Sequence, residues 1–395
     1  MLAVMRRRVY GQSRPGGRRL GGTVAATRIL TVFGTRPEAI KMAPVVLALR
    51  DDPGFEPVVM VTAQHRELLD QVLDLFNIVP DHDLDIMEHG QSLAQITCRA
   101  LEGIGAILER EHFDVVVVHG DTTTTLCAAL TAFYHGVPVA HVEAGMRTHD
   151  MLHPFPEEAN RSLVARLAHW HFAPSRTCEQ NLLDEGIESD RVFRTPHNTA
   201  IDALRIVAEL PYEFPPGLIA EALASSRRIV LVTMHRRESW GVPMEGMLSA
   251  IAQVARKRGD THFLVATHPN PVVSGAAARI LCDCERVDLI GAQAYLPFVK
   301  LMEAAHLIVS DSGGVQEEGP ALGTPVLVLR DVTEYPELVE RGVVEVAGTD
   351  ETRVAASLAR LLDDRERYER MKEACVGYGP GDSASEIVRV LSELQ

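Results

Sequence analysis

The sequence predicts an α/β protein of two domains, each built on a parallel sheet. Three observations lead there. Short β-branched runs alternate with helical stretches along the chain. These runs are apolar on both faces, as strands must be when helices cover each side of a sheet. The length, 395 residues, also exceeds what one hydrophobic core ordinarily organises, so two domains are expected.

In chain order the predicted strands are Arg28–Phe33, Val58–Thr62, Val115–His119 and Val137–Val142, then Ile229–Thr233, His262–Thr267, Leu307–Asp311 and Val326–Leu329. Each is too short for a helix, and parallel neighbours require right-handed crossovers through the helices between them. Between Asp202 and Ile229 the periodicity lapses into Leu210-Pro211-Tyr212-Glu213-Phe214-Pro215-Pro216-Gly217, which suits an interdomain connection. The expected domains are therefore residues 28–205 and 206–377. Each half opens with a strand, a polar loop and a helix, but no sequence repeat relates them.

Residues 1–27 are rich in Arg and Gly and lack the apolar stretch of a signal peptide, so they are expected to form a disordered extension. They hold six arginines and no acid, which leaves −21 on residues 28–395 against −15 for the whole chain. A field of that sign repels nucleic acid and anionic membranes, so an anionic ligand needs a local cluster of donors and cations. No run approaches the roughly 18–20 apolar residues that cross a bilayer. The six cysteines, Cys98, Cys127, Cys178, Cys282, Cys284 and Cys375, lack the paired spacing of a zinc site or a disulfide framework, and reduced cytoplasmic thiols are expected.

The first strand ends in Gly34-Thr35-Arg36-Pro37-Glu38, where Gly allows a tight turn and Pro37 suits the first turn of a helix. In open parallel sheets ligands sit beyond the carboxyl ends of strands, so Arg36 and Lys41 are placed to meet phosphate oxygens. A plain Arg36–Glu38 pair at a solvated helix start weighs about equally. Val115–His119 runs into Gly120-Asp121-Thr122, where Asp121 has the ordinary occupation of capping a helix. The following strand leads to Glu143-Ala144-Gly145. An acid directly after an apolar strand is poorly explained by packing, so Glu143 reads as functional. Glu157 and Glu158 open a further helix and favour its dipole, but Asp121, Glu143 and Glu157 together are three acids able to converge on one sugar.

In the second half, strand ends deliver His235-Arg236 and His268. The segment Ser310-Asp311-Ser312-Gly313-Gly314 repeats the strand, glycine loop and helix order. Ser312 and the N–H groups of Gly313 and Gly314 suit a diphosphate at a helix N-terminus, with Glu318 one turn on for ribose hydroxyls. No Gly-x-Gly-x-x-Gly loop or Walker A loop is present.

These segments resemble the non-hydrolysing UDP-N-acetylglucosamine 2-epimerase family over residues 28–395. Phe33–Glu38, Thr62-Ala63-Gln64-His65-Arg66, His119–Thr124, His141–Gly145, Pro156–Arg161, His235–Glu238, Tyr295–Phe298 and Asp311–Gly314 occur in family order. The resemblance implies a glycosyltransferase B-type fold, with two Rossmann-like domains facing a cleft and a C-terminal helix, about 378–395, packed back on the first. It implies that Arg36, Gln64, His65, His235, Arg236, His268, Phe298, Ser312, Gly313, Gly314 and Glu318 bind the UDP-sugar. Lys41, Asp121, Glu143, Glu157 and His235 would then work on the hexose. UDP-N-acetylglucosamine and UDP are the implied ligands of a cytoplasmic homodimer that uses no cofactor and no metal and feeds envelope polysaccharide synthesis.

The chain departs from the family pattern in several places, among them Gly90 before Gln91-Ser92-Leu93, where some members carry Arg. Ser239-Trp240 replaces Asn-Phe, and Thr195-Pro196-His197-Asn198-Thr199 stands for Thr-Gly-Asn-Thr. Tyr335 replaces an Arg, and Val376-Gly377-Tyr378-Gly379 stands for Asn-Pro-Tyr-Gly. Three rival activities share the motifs: a hydrolysing epimerase, a retaining glycosyltransferase and a non-catalytic sensor. The three acids argue against the last two, while spacing leaves open which acid is base and which is proton donor.

Overall fold

The computed structural model describes residues 26–394 apart from Gln64, His65, His89, Arg237, Glu238, Pro269 and Glu334. Residues 1–25 of the Arg/Gly-rich extension, and the ligand candidates Gln64 and His65, lie outside the described residues. Thr27, expected in that extension, instead begins the first strand and donates its N–H to Gly54 O at 2.8 Å.

The chain divides into two compact units, Met1–Ala203 with Gly381–Gln395, and Leu204–Pro380. In the first, β1 (Thr27–Phe33), α1 (Arg36–Asp51), β2 (Phe55–Val61), α2 (Arg66–Leu75), β3 (His82–Asp83), α3 (Leu93–Arg110) and β4 (Val115–His119) come in turn. They are followed by α4 (Thr123–His135), β5 (Val139–Val142), α5 (Glu157–Leu167), β6 (Trp170–Ala173), α6 (Arg176–Asp184), β7 (Val192–Arg194) and α7 (Thr199–Glu209). The strands pair in parallel in the order β3-β2-β1-β4-β5-β6-β7. Residues of β4 and β5 are buried throughout, because helices cover both faces of the sheet.

The second unit contains α8 (Leu218–Ala224), β8 (Arg228–Met234), α9 (Val242–Arg256), β9 (Thr261–Thr267), α10 (Pro271–Leu281), β10 (Val287–Ile290), α11 (Tyr295–Ala304) and β11 (Leu307–Ser310). It continues through α12 (Gly313–Ala321), β12 (Val326–Val328), α13 (Pro336–Arg341), β13 (Val344–Val346), α14 (Glu351–Asp363) and α15 (Arg365–Cys375). Its parallel sheet runs β10-β9-β8-β11-β12-β13. The last helix, α16 (Ser383–Glu393), belongs to the first unit and packs on α1. Cys284 is buried in the core of the second unit and Cys282 is exposed. Among the described residues no helix is long and apolar enough to cross a membrane.

All eight predicted strands are present, displaced by a few residues at most. The sequence did not reveal β3, β6, β7, β10 and β13, which lie toward the sheet margins. Such strands need fewer apolar positions, and Val344-Glu345-Val346 or Val192-Phe193-Arg194 carries a charge that masks the run. The unit boundary falls inside α7, and the proline-rich stretch joins α7 to α8 within the second unit.

In both sheets strand order reverses beside the strand that starts the unit. β1 lies between β2 and β4, and β8 lies between β9 and β11. Loops leaving the carboxyl ends on either side of such a switch point diverge and open a crevice between them. The Gly34 and Gly120 loops flank the first switch point, and the His235 and Ser312 loops flank the second.

Candidate active site

In the first unit the Gly34 loop is set by close approach. A Cβ on Gly34 would stand 2.0 Å from Thr62 Oγ1 and 2.6 Å from Thr124 Oγ1, so the position demands glycine. Glu38, buried in the first turn of α1, bends back on this loop. Its Oε2 accepts Gly34 N–H at 3.1 Å, and Thr35 N–H and the Thr35 hydroxyl at 2.8 Å each. Its Oε1 accepts the Thr122 hydroxyl at 2.8 Å and the Thr125 hydroxyl at 3.1 Å. One carboxylate thereby ties together the loops on either side of the switch point. The Arg36–Glu38 pair weighed from the sequence is not among the ion pairs of the described residues, and Arg36 is half-buried at the start of α1.

α1 also carries Lys41, whose ammonium pairs with Glu143 Oε2. The same oxygen accepts the side-chain N–H of Asn198, and His119 Nε2 lies 3.7 Å away. Glu143 follows β5 with φ +61°, a left-handed conformation that costs a non-glycine residue about 1–2 kcal/mol. Lys41 and Asn198 hold the carboxylate at that strained corner. Burial pushes the Glu143 carboxyl up, but Lys41 and His119 outweigh it and hold the group well below the usual carboxylate range.

Asp121 does not cap α4. That role belongs to Thr122, whose hydroxyl accepts Thr125 N–H at 3.1 Å. Asp121 Oδ2 pairs instead with Arg161, and its carbonyl accepts the Asn160 side chain at 2.8 Å. Burial pushes the Asp121 carboxyl up; Arg161 opposes this and Glu143 adds to it. Two carboxyls at the ends of neighbouring strands are therefore driven in opposite directions, the arrangement that separates acid–base roles.

The acids that open α5 have different surroundings. Glu158 is buried, accepts Thr148 N–H and His149 N–H at 3.0 Å each, and pairs with Arg161 at 3.3 Å, so it holds the preceding loop. Glu157 is half-buried and four residues before Arg161, on the face of α5 that meets Asp121. Behind the site, His141 is buried with its pKa driven down to about 4, chiefly by burial. The neutral ring donates from Nε2 to Gly120 O at 2.7 Å and steadies the turn before Asp121.

In the second unit, wholly buried Asp311 accepts His235 N–H with both oxygens, at 3.0 and 3.1 Å, and Arg236 N–H at 3.0 Å. Ser312 N–H donates to Ser310 Oγ at 3.0 Å, and Ser312 O accepts the Gln316 amide at 3.2 Å. Ser312 stands at the N-cap of α12, so Gly313 and Gly314 supply the first helical N–H groups, which have no intrahelical acceptor. A Cβ on Gly314 would lie 3.9 Å from Glu318 Oε2, which places that carboxylate over the helix start. A Cβ on Gly319 would come within 2.6 Å of Val326 Cγ2, so α12 packs closely on its sheet. His268 follows β9, is exposed, and accepts Asn270 N–H on Nδ1 at 3.1 Å. Phe298 is half-buried in the first turn of α11.

The fold thus gathers Lys41, Asp121, Glu143 and the helix bearing Glu157 in one unit, and His235, Arg236, Ser312, Gly313, Gly314 and Glu318 in the other. Arg36 and His268 share no hydrogen bond or ion pair with these groups among the described residues. Sequence reasoning assigned Asn198, Asp311, Arg161 and His119 no role of their own, and Glu38 only that of a partner to Arg36. Glu38 and Asp311 had one local signal, an acid immediately beside a glycine loop. Asn198 stood only within the segment matching Thr-Gly-Asn-Thr, which says nothing of its partner, 55 residues away.

The family model for UDP-N-acetylglucosamine 2-epimerase matches residues 47–392. A UDP-N-acetylglucosamine 2-epimerase of Salmonella typhimurium is 51% identical over 375 residues, covering 92% of this chain and 98% of the relative. The crystal structure of the Neisseria meningitidis UDP-GlcNAc 2-epimerase bound to UDP-GlcNAc superposes with a TM-score of 0.81 at 44% identity, covering 93% of this chain and 100% of that one. A glycosyltransferase from Rickettsia africae shares the fold alone, with 13% identity and a TM-score of 0.62 over 94% of this chain and 99% of its own. With its two Rossmann-like units, its paired strand-end carboxylates and these matches over nearly its whole length, the chain belongs to the UDP-N-acetylglucosamine 2-epimerase family.

Proposed function

We propose that the protein interconverts UDP-N-acetylglucosamine and UDP-N-acetylmannosamine. The observation that carries this reading is the placement of two carboxylates at adjacent strand ends with different partners, Glu143 against Lys41 and Asn198 and Asp121 against Arg161. H2 of the hexose is weakly acidic, so the C1–O bond to UDP loosens as H2 leaves, giving UDP and 2-acetamidoglucal. UDP then adds back to C1 while a proton reaches the opposite face of C2. The route conserves oxidation state and needs no cofactor. It needs one group to take a proton, one to give a proton, and negative charge beside an oxocarbenium-like C1.

Glu143, held ionised by Lys41 and His119 and gripped by Asn198, suits the fixed negative charge. Asp121, whose carboxyl keeps its proton more readily, and Glu157, on the same face of α5 as the arginine that grips Asp121, suit the two proton transfers. Because the reaction is reversible, each of these two gives in one direction what it takes in the other. The His235–Arg236 loop, the start of α12 and Glu318 supply donors and an acceptor for UDP, with Arg36, His268 and Phe298 as further contacts. We read the protein as a cytoplasmic homodimer feeding envelope polysaccharide synthesis; exposed Phe133 and Tyr134 on α4 and Leu163 on adjoining α5 favour self-association.

The test is to incubate the protein with UDP-N-acetylglucosamine in D2O and follow it by NMR. Deuterium at C2 with intact UDP-N-acetylmannosamine is expected. Accumulating UDP with free N-acetylmannosamine would mean that water captures the glycal, and absence of exchange would rule out the elimination.

A further inference from the structure

Asn198 stands at the N-cap of α7, where its Oδ1 accepts Ala200 N–H at 2.9 Å. That bond settles the orientation of the amide. With the oxygen committed to the helix start, Nδ2 faces Glu143 Oε2 and donates to it. Asp, Ser and Thr also cap helices well. Among these, only asparagine offers an oxygen to the helix and an N–H to an ionised carboxylate within one planar group.

The turn that carries Asn198 rests on the end of the chain. His197 N–H donates to Ser383 Oγ at 3.1 Å, and the Ser383 hydroxyl donates back to His197 O at 2.8 Å. Gly381 N–H donates to His197 Nε2 at 3.2 Å, and Asp202 Oδ1 accepts Ala384 N–H at 2.8 Å. The amino end of α16 is therefore fastened to residues 197–202 at several points. The same helix packs on α1, which carries Lys41. Both groups that grip Glu143 Oε2 are backed by one helix, which the chain supplies only after completing the second unit.

We propose that Asn198 is a positioning residue for Glu143, and that the amino end of α16 is the support that holds it there. The inference rests on the reading of Glu143 as a catalytic carboxylate. Among the described residues, the charged and titratable groups facing Glu143 are Lys41 from α1, His119 from the end of β4, Asp121 from the loop after β4, and His141 from β5. Asn198 adds a neutral donor that favours the ionised form and fixes its direction. Removing it raises the affinity of Glu143 for a proton and frees the carboxylate to turn. The loss falls on turnover, because the proposed nucleotide contacts lie on other loops.

The test compares kcat, KM and the pH dependence of kcat for full-length variants with UDP-N-acetylglucosamine. Asn198→Asp is the discriminating change, since it preserves the shape and the helix cap but sets a second carboxylate against Glu143. Its kcat is expected to fall about 100-fold or more, with KM within about threefold. The acidic limb of its profile should move to higher pH, because adjoining carboxylates hold a shared proton. Asn198→Ala should lose about 10- to 100-fold with the limb moving the same way, and Ser383→Ala should show a smaller loss in that direction. An Asn198→Asp enzyme with normal kcat and an unmoved limb, alongside an inactive Glu143→Gln enzyme, would reduce Asn198 to a helix cap and overturn the proposal. A fully active Glu143→Gln enzyme would remove the reading beneath it.

Discussion

Asp311 accepts the backbone N–H of His235 with both carboxylate oxygens, at 3.0 and 3.1 Å, from a position without solvent exposure. Glu38 does the corresponding work in the other unit, where it ties the Gly34 loop to the Thr122 loop. Each is a buried carboxylate at a switch point, and each meets its desolvation cost with donors from the loops it organises. The loops proposed to face ligand are thereby held in place by the fold itself.

Asp311→Asn should weaken UDP binding about tenfold or more, read by titration calorimetry. The amide keeps one acceptor and turns N–H groups toward the backbone N–H groups of His235 and Arg236, so the loop must move. Unchanged affinity would show that the loop does not depend on this carboxylate.

Glu38→Gln should destabilise the protein by about 2–4 kcal/mol in denaturant unfolding. Five donors converge on Glu38, and an amide cannot accept them all, so at least one buried group is orphaned.

Asp202 should make stability pH-dependent. Burial, with a contribution from Asp382, raises its carboxyl pKa from 3.8 to about 6, against the bond from Ala384 N–H. A raised acid stabilises the fold fully below its unfolded pKa, and that contribution is lost as pH rises through the folded value. The protein should therefore lose up to about 3 kcal/mol between pH 4 and pH 7 from this group. Asp202→Asn keeps the acceptor for Ala384 and carries no charge. Its melting temperature should match the parent near pH 4 and exceed it at pH 7; equal pH profiles would contradict the assignment.

Gly34→Ala should lower stability by about 1–3 kcal/mol and reduce kcat/KM sharply. The new methyl would overlap Thr62 Oγ1 and Thr124 Oγ1, which forces the loop off its neighbours. A fully active, equally stable variant would show that the loop has room to yield.

Several parts of the candidate site were legible before the fold was known. Gly34, Glu143 and Gly313-Gly314 stand where apolar runs stop, and a glycine or acid at that place has few purely structural excuses. Glu158 shows the limit of such reading. It is indistinguishable from Glu157 in sequence, yet it is buried on Thr148 and His149 while Glu157 stays half-buried on the face of Arg161. Asp121 shows another limit. A cap was its ordinary reading, and the hydroxyl of the next residue took that role.

Sequence by itself determined the α/β class, the central strands and the loops at their carboxyl ends, because hydrophobic periodicity and glycine turns are properties of neighbouring residues. Tertiary structure alone decided what each acid does there. The ionisation of Glu143 depends on Lys41 and His119, and Asn198 donates to the same carboxylate; the three are brought together from α1, β4 and the start of α7. Burial and Coulomb interaction act through space, and no spacing along the chain encodes distances between groups so far apart in it.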